Sequence, residues 1–72
     1  TTTIEYMVPE AVFVSLKVYN LSGEELVTLV NSVKSAGYYH MDWNAGRFPS
    51  GVYFYRIQAG NFVETKKLVL LK

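Results

Sequence analysis

The chain has 72 residues, half of them hydrophobic, and its seven basic and six acidic side chains leave a formal charge of +1. It reads as one domain, 1–72, near the lower size limit for independent folding. The balanced charge argues against a nucleic-acid footprint. The lack of cysteine excludes disulfide staples, thiolate chemistry and Cys-based zinc, and leaves the redox compartment open. No apolar run reaches the roughly 18 residues of a membrane-spanning helix. The opening TTTIEYMVPE has neither the basic nor the apolar region of a signal peptide. It also begins without Met, so the chain is expected to be a fragment of a longer protein.

Taken in chain order, the helical period fails and a period of two succeeds. Ile4, Tyr6 and Val8 alternate with Glu5 and Met7, and Pro9-Glu10 ends the run because Pro cannot donate to a ladder. Val12, Val14, Leu16 and Val18 form the clearest inward set, against Phe13, Ser15, Lys17 and Tyr19. Asn20 to Gly23 carries turn chemistry. The strand from Glu25 to Val30 is less regular, since Leu26 and Leu29 both look buried yet stand three apart. A β-bulge near Val27 reconciles them, with a short helical turn as the alternative. Residues 31–36, NSVKSA, read as a polar connection.

From Gly37, Tyr39, Met41 and Trp43 share one face and Tyr38, His40 and Asp42 the other. Asn44 to Gly51 is a loop by its Gly, Pro, Ser and Asn content. Tyr53, Tyr55 and Ile57 then alternate with Val52, Phe54 and Arg56. After a tight Ala-Gly-Asn turn comes the closing strand Val63 to Leu71, with Leu68 and Leu70 inward. Ending on apolar side chains and a lysine, the tail is expected to be packed rather than frayed and to be read by a partner. Strands at this spacing with turn signals between them indicate an all-β fold, an immunoglobulin-like antiparallel β-sandwich of six to seven strands. A seventh strand would be a short piece not evident in the pattern or would lie upstream of Thr1. Tyr53 reads as an ordinary core tyrosine, with a tyrosine corner as the weaker alternative.

No catalytic constellation is legible. His40 is the sole histidine, so no His-His metal pair exists. With Asp42 it reads as a solvated surface pair rather than as a weak metal or base site. The carboxylates Glu5, Glu10, Glu24, Glu25, Asp42 and Glu64 are scattered, and no serine has a general base in pattern. Glycines sit singly, without a phosphate-cradling motif. No cofactor and no enzymatic activity are expected. The aromatics Phe13, Tyr19, Tyr38 and Phe54, with Val52, fall opposite the inward set. So apolar an outer face suggests protein contact before carbohydrate. A small core and free strand edges also keep a homodimer in view, by strand exchange for example. The basic Lys66, Lys67 and Lys72 read first as a guard on an edge strand.

The ordered set Thr3-Ile4-Glu5-Tyr6, Val8-Pro9-Glu10, Val14 to Asn20, Ser22-Gly23, Ala36-Gly37-Tyr38, Trp43, Ser50 to Arg56 and Thr65 to Lys72 resembles the type A C-terminal sorting domain of type IX secretion substrates. That family is itself related to the immunoglobulin-like domain of flagellar hook-capping proteins. A Pro-Asn-Pro-Phe-type segment common upstream is absent, Leu21-Ser22-Gly23-Glu24 stands shifted where Leu-Gly-Gln is frequent, and Trp43-Asn44 replaces the usual Trp-Asp.

The resemblance implies a non-catalytic address at the C-terminus of an exported Bacteroidetes-like cargo protein, which would be attached on its N-terminal side. That cargo would pass through the periplasm to the cell surface or exterior. The implied partners are an outer-membrane translocon and a sortase-like peptidase. It also places the signal in the final strands, with Gly51, Tyr53, Arg56, Lys66, Lys67, Leu70 and Lys72 as recognition candidates. The alternative is an immunoglobulin-like accessory, spacer or carbohydrate-binding module of an extracellular enzyme.

Overall fold

A computed structural model describes residues 2–71. Six strands follow one another: β1 (Thr2–Val8), β2 (Val12–Tyr19), β3 (Glu25–Lys34), β4 (Gly37–Trp43), β5 (Gly51–Ala59) and β6 (Phe62–Leu70). β1 and β4 pair antiparallel as a two-stranded layer, and the other four form an antiparallel sheet in the order β3-β2-β5-β6. The chain is thus a six-stranded antiparallel sandwich, and no seventh strand exists among the described residues. Lys72, one of the recognition candidates, lies outside them.

The core is the space between the layers. The small sheet contributes Ile4, Val8 and Trp43; the large one contributes Val14, Leu16, Val18, Val30, Tyr53, Ile57, Ala59 and Leu70. Nearly all stand on the inward parity read from the alternating pattern, because successive strand side chains take opposite faces. Val12, Tyr6, Tyr39, Met41, Tyr55 and Leu68 pack partly buried around them.

β3 departs from expectation in two ways. It runs on to Lys34, so residues 31–34 are strand and not a polar connection: Val12 to Leu16 pair with Lys34 to Val30 in unbroken register. Backbone pairing to β2 overrides the polar composition, which is tolerated because this edge faces solvent. The irregularity is also double. Leu16 opposes Val30 while Lys17 opposes Thr28, and Val18 opposes Val27 while Tyr19 opposes Glu25. Leu29 and Leu26 are therefore each the extra residue of a register shift. That is how two leucines three apart both turn partly inward, where a single bulge near Val27 had been expected.

The turns have local causes. Asn20 Oδ1 accepts from the Ser22 N–H at 2.9 Å and the Glu24 N–H at 3.0 Å, an Asx arrangement that closes β2 onto β3. Between β5 and β6, Ala59 faces Phe62 across a two-residue loop. Gly60 has φ +61° there and Asn61 has no positive φ, the pattern of a type II′ hairpin turn. A Cβ on Gly60 would also approach Val12 Cγ1 to 3.3 Å. Gly60→Ala is therefore expected to cost about 1–2 kcal/mol, from left-handed strain plus crowding. Urea unfolding reads this directly.

Candidate functional site

Two tyrosines fix the sandwich corners by one device. Each stands two residues after a glycine, in Gly37-Tyr38-Tyr39 and Gly51-Val52-Tyr53. Each hydroxyl donates to the main-chain carbonyl four residues upstream: Tyr39 to Ser35 at 2.7 Å and Tyr53 to Pro49 at 2.6 Å. The second is the tyrosine corner that the sequence had placed below an ordinary core tyrosine. The bond satisfies a loop carbonyl just before β5 begins and anchors the strand entry. Tyr53→Phe keeps the ring packed but removes the donor and orphans the Pro49 carbonyl, so a loss of about 1–2 kcal/mol is expected in denaturant titration. The more exposed Tyr39→Phe should cost less than half of that.

The loop 44–50 is held by a second aromatic set that the turn-rich sequence concealed. Phe48 lies 5.4 Å from the Trp43 ring centre and 6.3 Å from that of Tyr53, and Trp43 and Tyr53 meet edge-on at 5.8 Å. Ala45 is buried beside them, and its carbonyl accepts from the Phe48 N–H at 3.0 Å. A single aromatic between Gly46-Arg47 and Pro49-Ser50 was the signal available for this plug. The loop therefore belongs to the rigid part of the domain.

The outer face of the large sheet carries a basic and aromatic patch. Cross-strand register sets Lys17 opposite Arg56 and Tyr19 opposite Phe54 between β2 and β5. It sets Phe54 opposite Lys67 and Arg56 opposite Thr65 between β5 and β6. Arg56 and Lys67 are thus diagonal neighbours, roughly 7–8 Å apart in Cα terms. Lys17 is bridged to Glu25 at 3.2 Å, whereas Arg56 and Lys67 have no carboxylate partner among the described residues. A hollow of about 50 Å³ opens among Ser15, Lys17, Tyr19, Arg56 and Gln58. Like charges directly opposite one another disfavour a sheet slightly, so the Lys17–Arg56 pair contributes nothing to folding that would explain it.

On the other side, a two-stranded layer is too narrow to cover a four-stranded one, since strands sit about 4.8 Å apart. The uncovered flank is a groove of about 600 Å³ whose lining includes Tyr6, Tyr39, Tyr55, Phe62, Glu64 and Lys66. Tyr6 stacks on Tyr39 with ring centres 5.4 Å apart. Burial first, and the Tyr39 phenol second, push the Tyr6 hydroxyl above its ordinary pKa of 10.0. Lys34 lies 5.4 Å over the Tyr39 ring, a cation–π contact. Glu64 and Lys66 pair at 3.3 Å along the inner face of β6.

The recognition candidates named from sequence therefore separate. Arg56 and Lys67 share the outer patch, and Lys66 belongs to the groove side. Gly51 is exposed where β5 begins. Tyr53 is only 6 % exposed and Leu70 5 %, so both hold the strands in place and offer almost no surface. Lys17, Tyr19 and Phe54 join the patch through register, which parity alone could not supply. The exposed Tyr38, at 86 %, sits on the small sheet opposite Met7, on a different layer from Phe54. The two aromatics best suited to stack on a sugar thus form no common platform. His40 faces Glu5 across β1–β4, while Asp42 accepts from Thr3 Oγ1 at 2.8 Å. Among the described residues, no three His, Cys, Asp or Glu side chains gather as a metal site.

A small, rigid β-sandwich whose distinctive surfaces are a charged aromatic patch and two strand edges defines a recognition module. Residues 1–71 match the secretion system C-terminal sorting domain, and the chain belongs to that family. It is a C-terminal sorting signal for type IX secretion. Such a domain is attached to a cargo protein, is handled by the type IX machinery and directs export to the cell surface or exterior. Neither the curated proteins nor the solved structures contain a match to the chain.

Proposed function

We propose that the sorting signal is read from the outer face of β5 and β6, with Arg56 and Lys67 as its charged contacts and Phe54 as the apolar one. The reader is the outer-membrane translocon, which meets the folded domain in the periplasm. The domain spans 1–72 as a single non-catalytic unit on the C-terminal side of its cargo. A sortase-like peptidase acts after passage. The observation that carries this reading is the pair of unneutralised cations set diagonally on one rigid face. Exposed charges with no carboxylate near them are available for an acidic partner, and such complementarity mainly sets specificity and encounter rate. Gly51, Tyr53 and Leu70 support the reading indirectly by fixing where β5 and β6 lie. Lys66 is paired with Glu64 on the opposite face of β6 and stands apart from the patch.

The test is surface display of a reporter fused ahead of Thr1 in a host with a type IX system. Arg56→Glu with Lys67→Glu should lower display at least about tenfold, as reversal of two interfacial charges commonly does, while the melting temperature stays within a few degrees. Undiminished display by the folded variant would overturn the proposal.

A further inference from the structure

The two edges of the large sheet differ. β3 carries two register shifts, which twist an edge away from further pairing. β6 pairs with β5 through nine residues without a break, from Phe62 opposite Ala59 to Leu70 opposite Gly51. Its far edge has no strand against it among the described residues. Phe62, Val63 and Val69 remain 42 %, 45 % and 51 % exposed along it. An unbulged edge with apolar side chains is a template for another strand.

The charges on this edge are ordered in a way that selects the partner. β6 reads Phe62-Val63-Glu64-Thr65-Lys66-Lys67-Leu68. Suppose a second copy of β6 lies antiparallel to it about a two-fold axis. Residues directly opposite then share a face, so the axis must pass through a residue position. With the axis at Thr65, Glu64 meets Lys66 of the second copy, and Lys66 meets its Glu64. Phe62 meets Leu68 on the same inner face, and Thr65 meets Thr65 on the outer. Opposite charges, an aromatic–aliphatic contact and a Thr–Thr pair are each favourable cross-strand combinations. Moving the axis to Lys66 or Lys67 sets lysine against lysine, and moving it to Glu64 sets glutamate against glutamate. The sequence of this edge is therefore complementary to itself in one register.

We infer that β6 is a self-association edge, joining two copies of the chain into a continuous eight-stranded sheet with its two-fold axis at Thr65. The four charges of the two copies form an alternating square, because Glu64 and Lys66 already lie 3.3 Å apart within one chain. The pairing also extends the groove lined by Phe62, Glu64 and Lys66 across the two-fold. This assignment stands apart from the translocon reading. It concerns the hydrogen-bonding edge of β6, whereas that reading uses Arg56, Phe54 and Lys67 on the outer face of β5 and β6.

The lack of cysteine in the chain makes the register directly measurable. Thr65→Cys should cross-link to itself under mild oxidation, since directly opposed strand residues have Cα atoms about 4.5–5.5 Å apart, within disulfide reach. Val63→Cys and Lys67→Cys should not, because each lies four positions from its own copy, about 13 Å along the strand. Sedimentation equilibrium up to about 1 mM, a range suited to a small edge contact, should show a monomer–dimer equilibrium. Glu64→Lys sets lysines against each other twice and should weaken the dimer about tenfold, and adding Lys66→Glu should restore it. A strictly monomeric parent chain, equal cross-linking at positions 63, 65 and 67, or a Glu64→Lys dimer as tight as the parent's would each overturn the assignment. Reporter display, which tests the translocon reading, does not enter any of these measurements.

Discussion

Trp43→Ala is expected to remove about 3–5 kcal/mol of folding free energy, the range for truncating a large buried aromatic. Trp43 ends β4 and is 3 % exposed. It touches Phe48 from the loop and Tyr53 from β5, so its ring joins the small sheet, the 44–50 connection and the large sheet. Removing it leaves a cavity at the junction of three elements that backbone shifts in any one cannot fill. Total stability of small domains is about 5–15 kcal/mol, and a chain of this size lies toward the lower end. The variant should thus be partly unfolded at 25 °C, with lost near-ultraviolet signal from the aromatic cluster. Trp43→Phe, which keeps two of the ring contacts, should recover more than half of the loss. A cost below about 1 kcal/mol for Trp43→Ala in urea titration would mean that the cavity collapses, contrary to the rigid packing this junction implies.

The same residues show how far the amino-acid order reveals the fold. β2, β4 and β5 each bury one face and expose the other, so their alternation is written in the sequence and their inward residues were legible. The β5–β6 turn was legible too, because its backbone demands a residue type, Gly60 at φ +61°. β3 was legible only as an irregularity. Two register shifts return Leu26 and Leu29 partly toward the core, and alternation carries no sign of which residue a partner strand skips. Residues 31–34 hid because an exposed edge tolerates polar side chains, whose pairing is fixed by backbone bonds to β2. Phe48 hid for the opposite reason: a lone aromatic among turn formers has no period.

The candidate site was the least legible part. A recognition surface is defined by neighbours across strands, and Lys17, Arg56 and Lys67 are distant in sequence. Only the β2–β5 and β5–β6 registers bring them together. The tail residues named as one group from sequence divide by parity, with Lys67 outward and Lys66 and Leu70 inward. Burial then sets Leu70 apart from both.

Deleting Lys67 to Lys72 is expected to abolish reporter display, and it should do so by two routes that can be told apart. The deletion removes Leu70 from the core and Leu68 from its border. It also strips the strand opposite Gly51, Val52, Tyr53 and Phe54. Losing two such leucines costs about 2–5 kcal/mol for the more buried one and less for the other. The unpaired β5 backbone adds to this. The shortened domain should therefore be largely unfolded as well as lacking Lys67, and its circular dichroism should show lost strand signal. Leu70→Ala separates the routes: it leaves Arg56, Lys67 and the whole β6 backbone in place and should lower stability by about 2–4 kcal/mol. If display needs the folded outer face, Leu70→Ala should restore display on cooling to a temperature where the domain folds, while the deletion should stay silent there. Display by the deletion at any temperature would show that Lys67 and the end of β6 are not read, and would overturn the place of Lys67 in the patch.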